Sequence, residues 1–317
     1  MASVCSPADE SRLVSSSYMA GIGLVFLAGI CWSLGGILFR LISHADVWQT
    51  LFYRSIFMMN AMVPVIIFMN KGRFVDAFKK AGLNGAIAGF CIALASISYV
   101  LSLTYTTVAN ASFMIGAVPF FSAALGWWLL RESVSAKTVT AIAVAASGMG
   151  LMVFDSVGAG QFIGNALALY SSLAFACFIV LLRWNGKTEM APALFWSGLF
   201  VSLIAALILV VPNPFRPSEG LSSLAPPVQD FFLFAVMGFV QLGLGLFLYT
   251  RGAKTVPAAE LGLLSLVEPV LGAFWVWLFI SETPTLMTIV GGALIMSAIA
   301  GQAASGVVRK RLPRTSM

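Results

Sequence analysis

Charge is scarce in this sequence. Of its 317 residues only 9% are Asp, Glu, Lys or Arg, while 60% are hydrophobic, and there is a single histidine. A soluble domain carries about 25% charged residues, so this composition cannot cover a water-exposed globular surface. The mean hydropathy of +0.96 points the same way. Metal-ligating and nucleophilic residue types are just as sparse. The one histidine, His44, falls in a connecting segment, and of the four cysteines Cys31, Cys91 and Cys177 fall near the middle of apolar runs. A disulfide framework needs paired cysteines in an oxidising loop, so these read as small buried hydrophobes. No H-E-x-x-H, G-x-S-x-G or P-loop pattern occurs, which leaves zinc proteolysis, serine hydrolysis and ATP-driven work without their residues. The expectation is a protein that is not an enzyme and needs no metal or cofactor, and any driving force must come from gradients.

What is abundant is apolar sequence in runs long enough to cross a bilayer, about 20 helical residues each. Candidate spans fall near 18–41, 47–69, 83–104, 106–130, 134–154, 161–183, 190–211, 229–250, 257–280 and 284–304. None has the alternation of a barrel strand, and only helices satisfy their backbone groups within one segment. The first run is too long for a signal-peptide core, so it is expected to be retained. The fold class is therefore an all-α integral membrane protein with ten transmembrane helices. It is flanked by an N-terminal tail (1–17) and a basic C-terminal tail (305–317).

The net charge of +6 is no sign of nucleic-acid binding, because its placement follows a membrane rule. Of the 18 lysines and arginines, all but Arg40, Arg54 and Arg216 fall on the side of the N-terminus. Excess positive charge marks the cytoplasmic side, which predicts both termini in the cytoplasm and a multi-pass protein of a bacterial inner membrane.

The chain also repeats itself. A shift of 150 residues lays Pro119 on Pro269, Ala123 on Ala273, Trp127 on Trp277, Glu132 on Glu282 and Ser147 on Ser297. Each copy holds five spans, an odd number, so the second copy must be inserted upside down. Inverted repeats offer two nearly equivalent packings, one open to each side of the membrane, and are a signature of transporters. The symmetry fails at Val118, where the second copy has Glu268.

With these motifs in hand, the chain resembles the drug/metabolite transporter superfamily in its ten-helix EamA-like branch. The resemblance rests on Cys31-Trp32-Ser33-Leu34-Gly35-Gly36 running to Arg40, on Arg54, on Pro119 to Glu132, and on Glu268-Pro269 to Glu282. It covers roughly residues 20–303 and implies two EamA-like five-helix repeats, 18–154 and 161–304. It also implies a central cavity lined by spans 1–4 and 6–9, with spans 5 and 10 at the back.

Glu268 is the sharpest candidate for chemistry. An ionised carboxylate at the centre of a membrane span costs about 3 kcal/mol on insertion scales, which is tolerated where it faces a cavity, meets a cation or carries a proton. Its expected role is a counterion for a substrate ammonium or a proton-coupling acid. Pro119 and Pro269 each remove a helical hydrogen bond and are expected to bend spans 4 and 9 near the repeat axis. Arg54 cannot shed its charge; it is expected to meet a substrate carboxylate, pair with Glu268 or snorkel. Trp32, Ser172 and Gln241 fall near the same depth, with Tyr99 and Asn110 in the outer half. An aromatic wall with one carboxylate suits an ammonium ligand with an apolar body. Trp127, Trp128, Trp275 and Trp277 lie near span ends, where interfacial tryptophans belong. Small residues in spans 5 and 10 suit close helix packing, within a monomer or across a homodimer.

The function expected from these readings is secondary, non-ATP transport of a small organic metabolite by alternating access. A zwitterionic or cationic compound such as an amino acid is the first choice. The partners are that substrate, the lipid bilayer and a proton or other gradient. The alternatives are efflux of hydrophobic organic cations, a lipid-modifying membrane enzyme, or a channel.

Overall fold

The computed structural model describes residues 7–106, 108–131, 134–154, 162–184, 191–211, 225, 228–280 and 286–311, and every regular element among these is helical. Helix α1 (Pro7–Leu41) starts well before the apolar run expected at 18. Helical bonding can continue through polar sequence into water, and proline suits a first helical position because its φ is already set. Helix α2 (Val47–Met69) follows a capping box. The Asp46 carboxylate accepts the N–H groups of Trp48 and Gln49 at 2.8 Å, and the Gln49 side chain accepts the Asp46 N–H at 3.2 Å. Helix α3 (Phe74–Tyr105) is two helices merged across a kink at Gly82 (φ 57), a left-handed conformation that glycine tolerates best.

The fourth and ninth spans are not bent helices but broken ones. The fourth is α4 (Val108–Ile115) followed by α5 (Val118–Leu130). Helix α6 (Ala136–Phe154), α7 (Phe162–Trp184) and α8 (Ala191–Val210) come next. The eighth span is α9 (Phe231–Val236), a π-helix over Met237–Leu244, and α10 (Gly245–Gly252). The ninth is α11 (Ala258–Leu264) followed by α12 (Val267–Ile280), and α13 (Leu286–Arg311) closes the chain. Seven helical stretches among the described residues are long and apolar enough to cross a membrane. The remaining three expected spans are α4–α5, α6 and α13.

Both breaks have one cause. Proline donates no N–H, and its ring collides with the carbonyl four residues back. For Pro119 that residue is Ile115, where α4 ends; for Pro269 it is Ser265, just past the end of α11. Tighter three-residue turns carry the chain across. Ala117 N–H donates to Met114 O at 3.0 Å and Phe120 N–H to Ala117 O at 3.0 Å. In the second half, Leu266 N–H donates to Leu263 O at 3.1 Å and Glu268 N–H to Ser265 O at 3.2 Å.

Helix packing respects the repeat. Helix α3 packs on α7 as α10 and the π-helix pack on α1; α5 packs on α7 as α12 packs on α1. Helices α2 with α8 and α6 with α13 are each their own counterparts. Exchanging the halves leaves this pattern unchanged, as a pseudo-twofold axis requires. The back pair α6 and α13 approach closely: a Cβ on Gly148 would lie 2.6 Å from the Gly291 carbonyl, a use of small residues within one chain.

Two clamps join the halves at opposite ends. The loop between α1 and α2 points three N–H groups at buried Asp230, which accepts from Ala45 at 2.8 Å, His44 at 2.9 Å and Ser43 at 3.4 Å. At the other end Tyr18 donates to Glu260 at 2.7 Å. Replacing Asp230 by Ala strands those backbone donors and is expected to destabilise the protein by about 2 kcal/mol, with Asp230→Asn recovering part. Thermal unfolding in detergent measures both, and an unchanged midpoint in the alanine variant would discount the clamp.

Candidate functional site: a central cavity at the helix breaks

The two breaks border a cavity of about 90 Å³. Trp32 from α1, Arg54 from α2, Tyr99 from α3, Ser172 from α7, Gln241 from the π-helix and Glu268 from α12 all line it. Of the expected set, the side chain of Asn110 lies outside the described residues, as do Glu132 and Glu282. Val118, the repeat counterpart of Glu268, is on the same wall. The prolines themselves line no part of the cavity; they shape it by ending α4 and α11 at its edge.

Each lining side chain has a structural reason for its place. Arg54 is 3% exposed and donates through Nη2 to the hydroxyl and carbonyl of Ser96 on α3. Tyr99 follows Ser96 by three residues and so shares its helix face. Its phenol is hydrogen-bonded to Ser112 and lies within electrostatic reach of both Arg54 and Glu268. Arg54 and Glu268 form no ion pair with each other among the described residues, contrary to one expectation for Arg54. Trp32 lies edge-on to Phe175, with ring centroids 5.5 Å apart, and tilted on Tyr249 at 5.0 Å. It reaches there because α10 carries Gly245: a Cβ would lie 2.5 Å from the indole Nε1. The reciprocal contact brings Gln241 against Gly35 of α1, where a Cβ would lie 2.9 Å from its Nε2. Glycine on each helix thus admits the polar side chain of the other.

Ser172 lines the cavity and also has a structural task. Its hydroxyl donates to Met114 O at 2.7 Å, with Ala168 O at 3.1 Å, so it closes a carbonyl beside the α4–α5 break. Glu268 opens the first turn of α12, where the helix dipole favours a carboxylate. No described residue gives it a hydrogen bond or an ion pair.

Four buried polar side-chain atoms among the described residues have no hydrogen-bond partner: Trp32 Nε1, Arg54 Nε, Ser55 Oγ and Gln241 Oε1. Three of the four belong to cavity-lining residues. Leaving such an atom unpaired costs about 1–3 kcal/mol, so this concentration calls for a ligand or water to complete it.

Several features were not expected. Helix α8 sends no residue to the cavity, although the family resemblance implied that span 7 would. It is apolar all round and packs on α2 and α3. The π-helix that carries Gln241 was not foreseen either; its one advance signal is the run of glycines at 238, 243 and 245 around a lone glutamine. Ser96, Phe175 and Ser265 line the cavity without having been expected there. Trp275 is no interfacial anchor, since its Nε1 donates to Ser33 Oγ at 2.8 Å. Trp127, Trp128 and Trp277 are exposed.

An all-helical membrane protein with two repeat-related halves around a central cavity that holds a few polar side chains has the architecture of a carrier. The model of the EamA-like transporter family matches residues 19–154 and 162–302, and the chain belongs to that family. It is 24% identical over 301 residues to an uncharacterised transporter of Archaeoglobus fulgidus, covering 93% of this chain and 96% of that one. It is 23% identical over 281 residues to a pseudopaline exporter of Pseudomonas aeruginosa, covering 88% and 94%. A solved crystal structure shares the fold with a TM-score of 0.72 at 17% identity, covering 94% of this chain and 99% of that one. The protein is a multi-pass membrane transporter, and its family and relatives bear the names of transporters rather than enzymes.

Gln241→Met keeps the length of the side chain and removes the orphaned oxygen. It is expected to raise stability by about 1 kcal/mol, since it deletes an unpaired buried group. Thermal unfolding measures this, and a lower midpoint would reveal a structural partner for the amide.

Proposed function

We propose that this protein is a secondary transporter of a small zwitterionic organic metabolite, an amino acid being the first candidate. The observation that carries this reading is the pairing of opposite chemistries across one cavity. The unpartnered donors of Arg54 and Trp32 suit a carboxylate, and the Glu268 carboxylate with the Gln241 oxygen suits an ammonium. The cavity of about 90 Å³ is smaller than the ~300 Å³ at which ligand pockets begin. Substrate binding therefore requires the halves to part, as alternating access supplies. Glu268, when no substrate is bound, is the group suited to carry a proton and couple transport to a gradient. The protein works as a single chain or a homodimer in a bacterial inner membrane, with both termini in the cytoplasm, the orientation favoured by its basic residues.

A second reading, efflux of organic cations, is favoured by the Trp32–Phe175–Tyr249 cluster, since aromatic faces attract quaternary ammonium groups. Counterflow of labelled amino acids in proteoliposomes separates the two. Saturable exchange inhibited by amino acids and not by a quaternary ammonium compound supports the zwitterion, and the reverse supports efflux. In either case Glu268→Gln is expected to reduce counterflow at least about a hundredfold with membrane expression intact, the loss typical of an unpaired charge contact worth about 3 kcal/mol. Undiminished exchange would remove Glu268 from the mechanism.

A further inference from the structure

A second cavity, of about 670 Å³, lies where α2 and α10 end. It is separate from the substrate cavity: Pro64 at its margin is about 15 Å along α2 from Arg54 by helical rise. Its walls are Pro64, Val65, Phe68 and Phe247, and Lys71 and Arg251 are the charged residues that line it. Phe68 is 88% exposed; on a membrane-spanning helix such a surface faces lipid, so the cavity is a groove open to the bilayer rather than to the interior.

Both cations are held in place by local structure. Helix α2 ends with Gly72 N–H donating to Ile67 O at 2.8 Å and Lys71 N–H to Phe68 O at 3.3 Å. Lys71 and Gly72 are both left-handed, with φ of 52 and 84, so the chain doubles back beneath the helix end in a Schellman-like turn. This keeps Lys71 beside the last turn of α2. On the other wall the Arg251 guanidinium lies 5.3 Å from the centroid of the Phe247 ring, one turn back on α10. Pro64 interrupts the hydrogen-bond ladder of α2 at the margin of the groove.

We propose that this groove binds one anionic glycerophospholipid. Its phosphate lies between Lys71 and Arg251, and an acyl chain lies along Pro64, Val65, Phe68 and Phe247. Among the described residues the lining has no carboxylate to repel a phosphate. A zwitterionic headgroup would bring its own cation against two others. A soluble anion would gain nothing from the apolar wall, which is the larger part of the surface. Both basic residues belong to the set expected on the cytoplasmic side, where anionic lipids attract basic residues flanking spans.

Native mass spectrometry of the purified chain, titrated with phosphatidylglycerol or phosphatidylcholine of the same acyl composition, tests this. One phosphatidylglycerol is expected to be retained in preference to phosphatidylcholine, with retention falling about fivefold for each cation removed in Lys71→Asn and Arg251→Gln. Asparagine tolerates the left-handed backbone at 71, so the fold should survive. Val65→Trp fills the groove without changing charge and should also displace the lipid. Equal retention of the two lipids, retention unchanged in all three variants, or full displacement of the lipid by soluble glycerol phosphate would each overturn the proposal.

Discussion

Inside hydrocarbon no water is present to satisfy a backbone group, so any interruption of a helix there must be closed by the protein itself. This constraint governs the centre of the molecule. Pro119 and Pro269 stop α4 and α11 in mid-membrane, and the surrounding helices answer. Three-residue turns bridge the gaps, and the Ser172 hydroxyl on α7 caps the carbonyl of Met114. Irregular backbone at this depth is tolerated only where it borders a cavity or is buried in protein, and the cavity forms where the breaks occur.

The same constraint explains how polar side chains reach the centre. Trp32 and Gln241 are admitted by glycines on the facing helices, Gly245 and Gly35, so the indole and the amide replace what would otherwise be apolar helix contact. Burial costs are offset at Ser172 and at Arg54 Nη2, which find partners. They are not offset at Trp32 Nε1, Arg54 Nε and Gln241 Oε1. A fold that tolerates unpaired groups in one small volume, while satisfying most others, concentrates its strain at the place where a ligand would relieve it.

Much of this was legible in the sequence because membrane physics leaves few choices. Apolar run length marked the spans, and the repeat offset from Pro119 to Pro269 foretold symmetric packing. A glutamate at the centre of an apolar run, Glu268, had to face something other than lipid. What could not be read has local causes. Whether a proline bends or breaks a helix depends on which neighbours can satisfy the carbonyls beside the break, and Ser172, which donates to Met114 O, lies far from it in sequence. The π-helix over Met237–Leu244 leaves no trace in the apolar periodicity of span 8. The inward donation of Trp275 to Ser33 was hidden because a tryptophan near a span end is also what an interfacial anchor looks like. The absence of α8 from the cavity followed from packing against α2 and α3, which hydropathy does not encode.

Val118 and Glu268 occupy equivalent places in the two repeats, and both face one cavity. The scaffold is therefore symmetric while the electrostatic field inside it is not: one half is apolar where the other is acidic. For the ligand proposed above, this difference would favour its positive end toward α12 and its apolar end toward α5. In the proposed alternating access the two halves therefore meet a bound ligand with different chemistry, even in a protein whose two halves are nearly interchangeable.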